Sequence, residues 1–250
     1  MSNFQVDYPT VGPEVLAALR KFDTPTICNV LELLDVQPRT AGYTDSRIQS
    51  CFPELPPMVG YASTATFRAG SPPRGGDVYA GLSKQVELIA SSPGPVVVVF
   101  QDLDDPSVAA TFGEVMCTTY QSFGAVGLIT SGTGRDLDQV QALKFPCFTG
   151  GTICSHGYCQ VVDLHIPVRA GGLTIYPGDL IHGDRNGIAV IPTHLAAAIA
   201  KACPLLADAE NIVLNYLKSG PPTPEGFAHA RMECAKQIAE LANRLKVGAV

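Results

Sequence analysis

The segment Pro95 to Phe100, which reads PVVVVF, constrains the fold of this 250-residue chain more than any other stretch. Its valines carry branched Cβ atoms, which suit a pleated strand better than a helix. Because no polar residue interrupts the run, it predicts a strand that is buried on both faces. Residues 125–130, AVGLIT, predict a second buried strand, so we expect a sheet that is covered on both sides.

The patterns around these two runs predict an α/β sandwich with a mixed sheet. The middle of the chain alternates strands with helices, whereas short strands separated by glycine turns follow from residue 161. We expect Thr193 to cap a later helix and Pro204 to kink or split it. The predicted helices are 13–22, one capped by Thr24 with Pro25 at the first helical position, 77–91, 113–123, 136–143, 193–219 and 224–245; the predicted strands are 58–67, 95–100, 125–130, 146–149, 161–168, 173–175, 180–182 and 187–191.

The composition limits the class of protein and its partners. The net charge is −6, whereas a protein that binds a nucleic-acid backbone needs a basic face, so we expect no nucleic-acid partner. The longest strongly apolar run is too short to span a bilayer, and residues 1–10 do not resemble a secretory signal, so we expect no membrane partner. The eight cysteines form no close CxxC pair, which favours reduced thiols in a cytoplasmic protein.

The first candidate loop opens the helix predicted at residues 113–123. It contains Gly113, Glu114, Val115 and Met116. The first amides of a helix have no partner within it, and the helix dipole adds about half a positive charge there. The amides of Val115 and Met116 could therefore hold a carboxylate. The side chain of Glu114 could either cap the helix or point into a pocket.

The second candidate loop, Ser131-Gly132-Thr133-Gly134, follows the strand at 125–130 and leads to Arg135 and Asp136. Ligands of open α/β sheets bind outside the carboxyl ends of strands, where such loops gather. Arg135 suits bidentate recognition of a carboxylate or a carbonyl oxygen. Asp136 is a hard oxygen ligand of the kind that Mg²⁺ or Mn²⁺ prefers. The alternative is a plain turn in which Asp136 caps a helix and Arg135 is solvated.

For the other reactive side chains, the pattern favours structural roles. The segment from Cys154 to Cys159 offers sulfur and imidazole groups, but no second cluster has zinc spacing. Cys117 lies within a predicted helix and is expected in the core. The glycine loop lacks both GxGxxG and a Walker lysine, which disfavours nucleotide binding. Structural or solvated positions are also expected for Asp102, Asp104, Asp105, His165 and His182.

Together these residues resemble the pattern of the RraA-like family, which includes the class II 4-hydroxy-4-methyl-2-oxoglutarate aldolases. In that family a Gly-Asp/Glu helix start precedes an Arg-Asp pair by about twenty residues, as Gly113-Glu114 precedes Arg135-Asp136 here. The resemblance extends from about residue 14 to residue 220. The other segments that carry it are Asp23 to Thr26, Val59 to Ala62, Pro177 to Asp179 and Asp184 to Pro192.

The resemblance implies a fold, an assembly and an activity. The fold would be an α/β/β sandwich of the swivelling-domain type in residues 1–220, with residues 221–250 as a C-terminal helical extension. The chains would form homotrimers or homohexamers with sites between subunits. The enzyme would be a lyase that uses Mg²⁺ or Mn²⁺ and cleaves 4-hydroxy-2-oxo acids to pyruvate or decarboxylates oxaloacetate.

The resemblance implies that some residues of the two loops contact the substrate. Arg135 would bind the small 2-oxo acid and stabilise its enolate. Gly113 and the amides of Val115 and Met116 would hold the substrate carboxylate.

Metal contacts are implied for the acidic residues. Asp136 would hold the ion, and Glu114 would organise its bound water. Glu210 of a neighbouring subunit, or next Asp208, would complete the site, although either could equally be an exposed helix carboxylate.

Two departures from the family pattern leave the substrate open. Glu114 stands where aspartate is commoner, and Gly132-Thr133-Gly134 replaces a small apolar stretch. The alternative function is also implied by the family, because the founding RraA proteins are non-catalytic regulators that bind and inhibit a ribonuclease. Those members lack the metal aspartate, so Asp136 favours the enzyme.

Overall fold

Strand β3 (Val96–Asp102) contains the valine run and lies at the centre of the fold. In the computed structural model, which describes residues 10–73 and 80–248, it lies between two parallel neighbours, β2 (Met58–Arg68) and β5 (Ala125–Thr130). The first five residues of β3 are all buried, and successive side chains enter two different apolar cores. The predicted strand buried on both faces is therefore confirmed.

An eight-stranded mixed sheet is built around β3. The other strands of this sheet are β1 (Gln49–Ser50), β7 (Cys147–Thr149), β8 (Gln160–Leu164), β11 (Leu180–Asp184) and β12 (Gly187–Ile191). Two separate two-stranded sheets consist of β4 (Ala110–Phe112) with β6 (Thr133–Gly134), and of β9 (Val168–Ala170) with β10 (Leu173–Ile175). The order in the sheet is β1-β7-β5-β3-β2-β11-β12, and β8 pairs with β2. The pairs among β2, β3, β5 and β7 are parallel and the others are antiparallel, as a mixed sheet requires.

The described residues also form seven α-helices and one 3-10 helix. These are α1 (Pro13–Leu19), α2 (Thr24–Leu34), α3 (Ala80–Ala90), α4 (Glu114–Ser122), α5 (Leu137–Ala142), the 3-10 helix Thr193–Leu195, α6 (Ala196–Lys218) and α7 (Pro224–Lys246). None of the helices within this part of the chain combines the length and the apolar character needed to cross a membrane.

The elements pack as an α/β/β sandwich, as predicted. Val98 and Phe100 of β3 pack with Tyr120 of α4 in one core. Val97 and Val99, on the opposite face, pack with the two-stranded sheet of β9 and β10. A third core joins α1, α2, α6 and α7 to β2 and β11. The C-terminal helices are thus part of the packed structure, and the division of the chain at residue 220 stays a prediction.

Several local predictions are wrong. Thr24 does not cap α2; Asp23 does, because its Oδ1 accepts a hydrogen bond from the Thr26 amide at 2.9 Å. The helix therefore begins at Thr24, and Pro25 is its second residue rather than its first. Thr193 likewise does not cap α6, which follows the 3-10 helix without a side-chain cap. The strand predicted at 161–168 is two strands, β8 and β9, because His165 adopts a left-handed φ of 53° between them.

The predicted split at Pro204 is wrong, because helix α6 continues through this residue, and the predicted kink stays a prediction. Proline removes one helical hydrogen bond, but the adjoining Cys203 and Leu206 are buried in the core that the helices share with the sheet. Packing on both sides of Pro204 therefore keeps the helix continuous. The helix predicted at 77–91 is seen from Ala80 onward, and residues 77–79, like residues 1–9, lie outside the described residues.

Candidate active site

The two candidate loops meet because each continues a parallel strand of the main sheet through a further short strand. β3 leads to β4 and β5 leads to β6, and these two short strands pair in parallel with Phe112 opposite Gly134. The Arg135 amide donates a hydrogen bond to the Phe112 carbonyl oxygen at 3.1 Å. Gly113 and Arg135 are the next residues along the two strands, so the pairing places them side by side.

Gly113 allows the side chains of the Arg-Asp pair to approach the main chain. A Cβ atom on Gly113 would lie 2.5 Å from Asp136 Oδ2 and 3.1 Å from Arg135 Nε. Its backbone is extended, with φ −158°, so the close approach rather than the backbone conformation requires glycine here.

The Asp136 carboxylate is held between the start of α4 and Arg135. Its Oδ2 accepts a hydrogen bond from the Glu114 amide at 3.1 Å and lies 3.7 Å from Arg135 Nε. Asp136 is also the N-cap residue of its own helix, α5, but its side chain makes no capping bond there. The plain-turn alternative, with Asp136 capping its own helix, therefore does not describe this loop.

Asp136 has a backbone conformation that most residues avoid. Its φ is 54°, in the left-handed region, where aspartate and asparagine are the better tolerated non-glycine residues. Such strain tends to occur where the surrounding structure over-determines the backbone, often at functional sites. The turn directs the chain from β6 into α5 while the carboxylate stays beside α4.

A cavity of about 250 Å³ lies beside these groups. Five of the predicted site residues line it: Gly113, Val115, Met116, Arg135 and Asp136. Its volume is close to the lower end of the roughly 300–1,000 Å³ range of small-molecule sites. The Arg135 side chain is 33% exposed, and Asp136 is its one ion-pair partner among the described residues. Most of the guanidinium donors are thus open to a ligand.

The structure does not bring the two predicted glutamates into this cavity. The Glu114 side chain is exposed and only its amide contacts Asp136. Glu210 lies on α6, where Asn29 Nδ2 donates to Glu210 Oε1 at 3.5 Å, and Asp208 is exposed on the same helix. Within the described residues no three His, Cys, Asp or Glu side chains form a group that could hold a metal ion. A contribution of Glu210 from a neighbouring subunit stays a prediction.

The sequence interpretation misses His156 and Cys159, which also line the cavity. Their loop is fixed over β4, because the Ala110 amide donates to the Ser155 carbonyl oxygen at 2.7 Å and the Tyr158 amide donates to the Ala69 carbonyl oxygen at 3.1 Å. Burial raises the pKa of the Cys159 thiol, while the positive charge of Arg135 acts in the opposite direction. The sequence shows that this segment carries an imidazole and a thiol, but it does not indicate that they lie beside Arg135.

Other side chains considered from the sequence have structural positions. Cys117 is buried in the core, as expected, with its sulfur 4.0 Å from that of Cys147. His182 is also buried, with Nδ1 3.0 Å from Thr24 Oγ1. Asp104 is not merely solvated, because its Oδ2 accepts hydrogen bonds from the amides that follow β2, at 2.7 and 2.8 Å.

The chain is similar to known proteins in sequence and in fold. A family model described as RraA-like (Aldolase/RraA) matches residues 24–190. A protein from Halalkalibacterium halodurans with the provisional name 4-hydroxy-4-methyl-2-oxoglutarate aldolase is 35% identical over 118 residues, which are 47% of this chain and 54% of that protein. The chain thus spans about half the length of this curated relative.

Two solved structures share the fold. An uncharacterized protein from Pseudomonas syringae pv. tomato superposes with a TM-score of 0.70 at 23% identity, covering 93% of this chain and 99% of that one. RraAS2 from Streptomyces coelicolor, described as an unusual member of the RNase ES inhibitor RraA family, superposes with a TM-score of 0.65 at 22% identity, covering 80% and 96%. Because both identities are below 25%, these two structures show that the fold is shared and show nothing further.

Proposed function

The chain belongs to the RraA-like family, which confirms the resemblance in its motifs, and from this premise we propose that it is a divalent-metal-dependent carbon–carbon lyase. The proposed reaction is retro-aldol cleavage of 4-hydroxy-2-oxo acids to pyruvate, with or without decarboxylation of oxaloacetate. The names of curated relatives point to the same class. The observation that carries the proposal is that Arg135 and Asp136 line one cavity at the N-terminus of α4.

Arg135 and the first turn of α4 would bind the 2-oxo acid. The amides of Val115 and Met116 have no partner within the helix, since the first helical bond runs from the Cys117 amide to the Gly113 carbonyl oxygen at 3.0 Å. These amides favour an anion, and a guanidinium can hold a carboxylate or the 2-oxo oxygen through two bonds. The substrate carboxyl end would therefore lie between α4 and Arg135.

The chemical step moves charge toward that same position. The C4 hydroxyl loses its proton, the C3–C4 bond breaks, and its electron pair passes to C3 and the 2-oxo oxygen as an enolate. Protonation at C3 then gives pyruvate, and C4 leaves as a carbonyl compound. Arg135 would stabilise the developing negative charge on the 2-oxo oxygen, which is the kind of interaction that contributes most to such reactions.

The donors on the cavity wall fit Mg²⁺ or Mn²⁺. Asp136 Oδ2 is engaged by the Glu114 amide, and in the described part of the chain Oδ1 makes no hydrogen bond, so one hard oxygen is left for an ion. Mg²⁺ keeps several waters and takes one or two protein carboxylates, so one carboxylate from each subunit is sufficient. When bound, the ion would act as a Lewis acid on the 2-oxo group. We propose Glu210 of a neighbouring subunit, in a homotrimer or homohexamer, as the second carboxylate. Glu114 of the same subunit as Asp136 is proposed to act through a metal-bound water.

Pyruvate release from 4-hydroxy-2-oxo acids and oxaloacetate, with Mg²⁺ or Mn²⁺, tests the proposal. Arg135→Ala and Asp136→Asn should each abolish turnover. Arg169→Ala and Asp138→Asn are matched controls, because both side chains are exposed outside the cavity lining. Full activity in Asp136→Asn, or in an excess of chelator, would contradict the proposed role of the metal.

A non-catalytic regulator of a ribonuclease is the second candidate. The description of the Streptomyces coelicolor protein supports it, but that likeness is one of fold. Asp136 is the residue that favours the enzyme. Capture of a ribonuclease by the intact protein, together with absent Mn²⁺ binding and absent pyruvate release, would reverse the order of the two candidates.

A further inference from the structure

The proposed cleavage removes a proton from the C4 hydroxyl of the substrate, and we propose that His156 is the catalytic residue that accepts it. The inference rests on the proposed function, because it names the base for that reaction. Since His156 belongs to neither of the two candidate loops, this role adds a third segment of the chain to the site.

The loop that carries His156 is anchored beside β4. The Ala110 amide, at the start of β4, donates a hydrogen bond to the Ser155 carbonyl oxygen at 2.7 Å. Gly157 has a left-handed φ of 52° and packs so closely that a Cβ atom there would lie 2.8 Å from the Ala69 carbonyl oxygen. The main chain on both sides of His156 is therefore fixed, while its side chain is exposed.

The cavity extends along β4 between His156 and the proposed anion site. All four residues from Ala110 to Gly113 line it. The helix amides that are proposed to bind the substrate carboxylate follow Gly113, whereas His156 lies beside Ala110 at the other end. At about 3.3 Å per residue, the two ends of this segment are roughly 10 Å apart.

An extended 4-hydroxy-2-oxo acid has the length that this arrangement requires. Its hydroxyl oxygen is four bonds from the carboxyl carbon, which is roughly 5 Å at about 1.5 Å per bond. A hydrogen bond from the hydroxyl adds about 2.8 Å. A base for this proton should thus lie roughly 8 Å from the bound carboxylate, which is within the length of the wall that β4 forms.

The imidazole of His156 has a hydrogen bond that prepares its other nitrogen for this role. Its Nδ1 lies 2.8 Å from the Gly157 carbonyl oxygen. Because a carbonyl oxygen can only accept a hydrogen bond, Nδ1 carries a proton, and Nε2 carries a lone pair in the neutral ring. After Nε2 takes the substrate proton, the same carbonyl oxygen still accepts from Nδ1 and stabilises the cation.

Two other groups at the cavity are less suited to this proton transfer. Burial raises the pKa of the Cys159 thiol, so this thiol keeps its own proton. Asp136 lies at the opposite end from His156, because its Oδ2 is beside Gly113 and accepts from the Glu114 amide. His156 combines an acceptor nitrogen with a place at the C4 end of the substrate.

The base is needed for one of the two proposed reactions and not for the other. In cleavage, the C4 hydroxyl proton passes to Nε2, C4 leaves as a carbonyl compound, and the electron pair of the C3–C4 bond forms the enolate. The imidazolium then loses the proton to solvent, to which the ring is exposed, and the enolate takes one at C3. Decarboxylation of oxaloacetate forms the same enolate, but its C4 is a carboxylate that leaves as CO₂ and has no hydroxyl proton.

The ratio of the two reactions tests this role. Pyruvate release by the full chain with Mg²⁺ is measured from 4-hydroxy-4-methyl-2-oxoglutarate, from 4-hydroxy-2-oxopentanoate and from oxaloacetate, after subtraction of the rate with Mg²⁺ alone. His156→Gln should lower the ratio of kcat for cleavage to kcat for decarboxylation by about a hundredfold or more, as expected for loss of a positioned base. A merely structural role would lower both rates alike, so an unchanged ratio would overturn the proposal.

His194→Gln is the matched control for this measurement. His194 is an exposed histidine outside the cavity lining, so its replacement should leave the ratio unchanged. A fall in the ratio as large as that in His156→Gln would also overturn the proposal, because it would not be specific to the cavity.

Chemical rescue decides if the wild type does not decarboxylate oxaloacetate. His156→Ala removes an exposed ring, so imidazole in solution can enter its place and should raise the cleavage rate of this variant by about tenfold or more. The same imidazole should not restore Arg135→Ala, which lacks a different group. No recovery in His156→Ala, or equal recovery in both variants, would overturn the proposal.

Failure of this inference can be told from failure of the proposed function. No cleavage of either hydroxy acid by the wild type would refute the aldolase reaction and, with it, the role of His156. Cleavage that is as fast in His156→Gln as in the wild type would leave the aldolase standing and exclude His156 as its base.

Discussion

Replacing Gly113 with alanine should separate the function of the candidate site from the stability of the fold. The added Cβ would lie 2.5 Å from Asp136 Oδ2, whereas ordinary contact begins at 3.4 Å. The backbone at Gly113 is extended, so alanine causes no strain of its own there. The clash must therefore be relieved by moving the Asp136 carboxylate, which is the free end of a side chain.

The required movement sets the expected size of the effect. The carboxylate has to retreat by about 0.9 Å to reach ordinary contact, which breaks or lengthens its 3.1 Å bond to the Glu114 amide. A misplacement of about 1 Å at a reacting centre can lower the rate by about a hundredfold. The stability loss should be near 1 kcal/mol, the value of one hydrogen bond, because the side chain is not enclosed by the core.

Two measurements on the same variant check this reasoning. Pyruvate release gives kcat/KM, and urea denaturation gives the free energy of unfolding. Gly151→Ala is the control, because a Cβ atom there would meet only Thr133 Cγ2 at 3.9 Å, which is ordinary contact. It should change neither quantity appreciably. Mn²⁺ affinity should fall in Gly113→Ala together with activity.

Either of two results would refute the argument. Full activity and full Mn²⁺ affinity in Gly113→Ala would mean that the position of Asp136 is unimportant. A stability loss well above about 3 kcal/mol, the upper end for overpacking, would mean that the carboxylate cannot retreat and that the residue is structural.

Further predictions concern pH, capping and assembly. Burial lowers the pKa of His182 in the folded protein below its usual value of 6.5. As the pH falls, the imidazole is therefore protonated in the unfolded chain before it is protonated in the folded protein. The free energy of unfolding should decrease as the pH drops below 6.5, by at most about 1.4 kcal/mol per pH unit. Urea denaturation at several pH values should show a flatter dependence in His182→Gln; an equal slope would contradict this. Asp23→Ala should lower the unfolding free energy by about 1 kcal/mol because the Thr26 amide loses its cap, and Asp23→Asn should lose less. Glu210→Gln should weaken Mn²⁺ binding of the assembled protein while Asp208→Asn should not, and equal effects would refute the neighbour's contribution.

The sequence predicts those parts of the fold in which local pattern and packing agree. The valine run of β3 has no polar position, so it specifies burial on both faces without reference to any partner. The start of α4 is likewise recognisable, because Gly113 and an acidic residue precede an apolar pattern. From these features the sequence predicts the central strands of the sheet and the places along the chain where both candidate loops occur.

Other features depend on partners that are distant in sequence. β4 and β6 have three and two residues, too few to show a period, and they exist as strands because each pairs with the other. The position of His156 is decided by the hydrogen bond between Ala110 and Ser155. Pro204 stays in a continuous helix because the residues around it are buried. In each case tertiary contacts, rather than the local conformational preferences of the residues, determine the structure.

The pairing of β4 with β6 also determines where the chain can accept insertions. Within the segment that joins β3 to β4, residues 105–108 can change in length at small entropic cost, and Val108 among them is 52% exposed. The register of Phe112 with Gly134 would re-establish the position of Gly113 whatever the length of the preceding segment. Residues 107–108 are therefore a suitable place to graft new sequence while the arrangement of Arg135 and Asp136 is preserved.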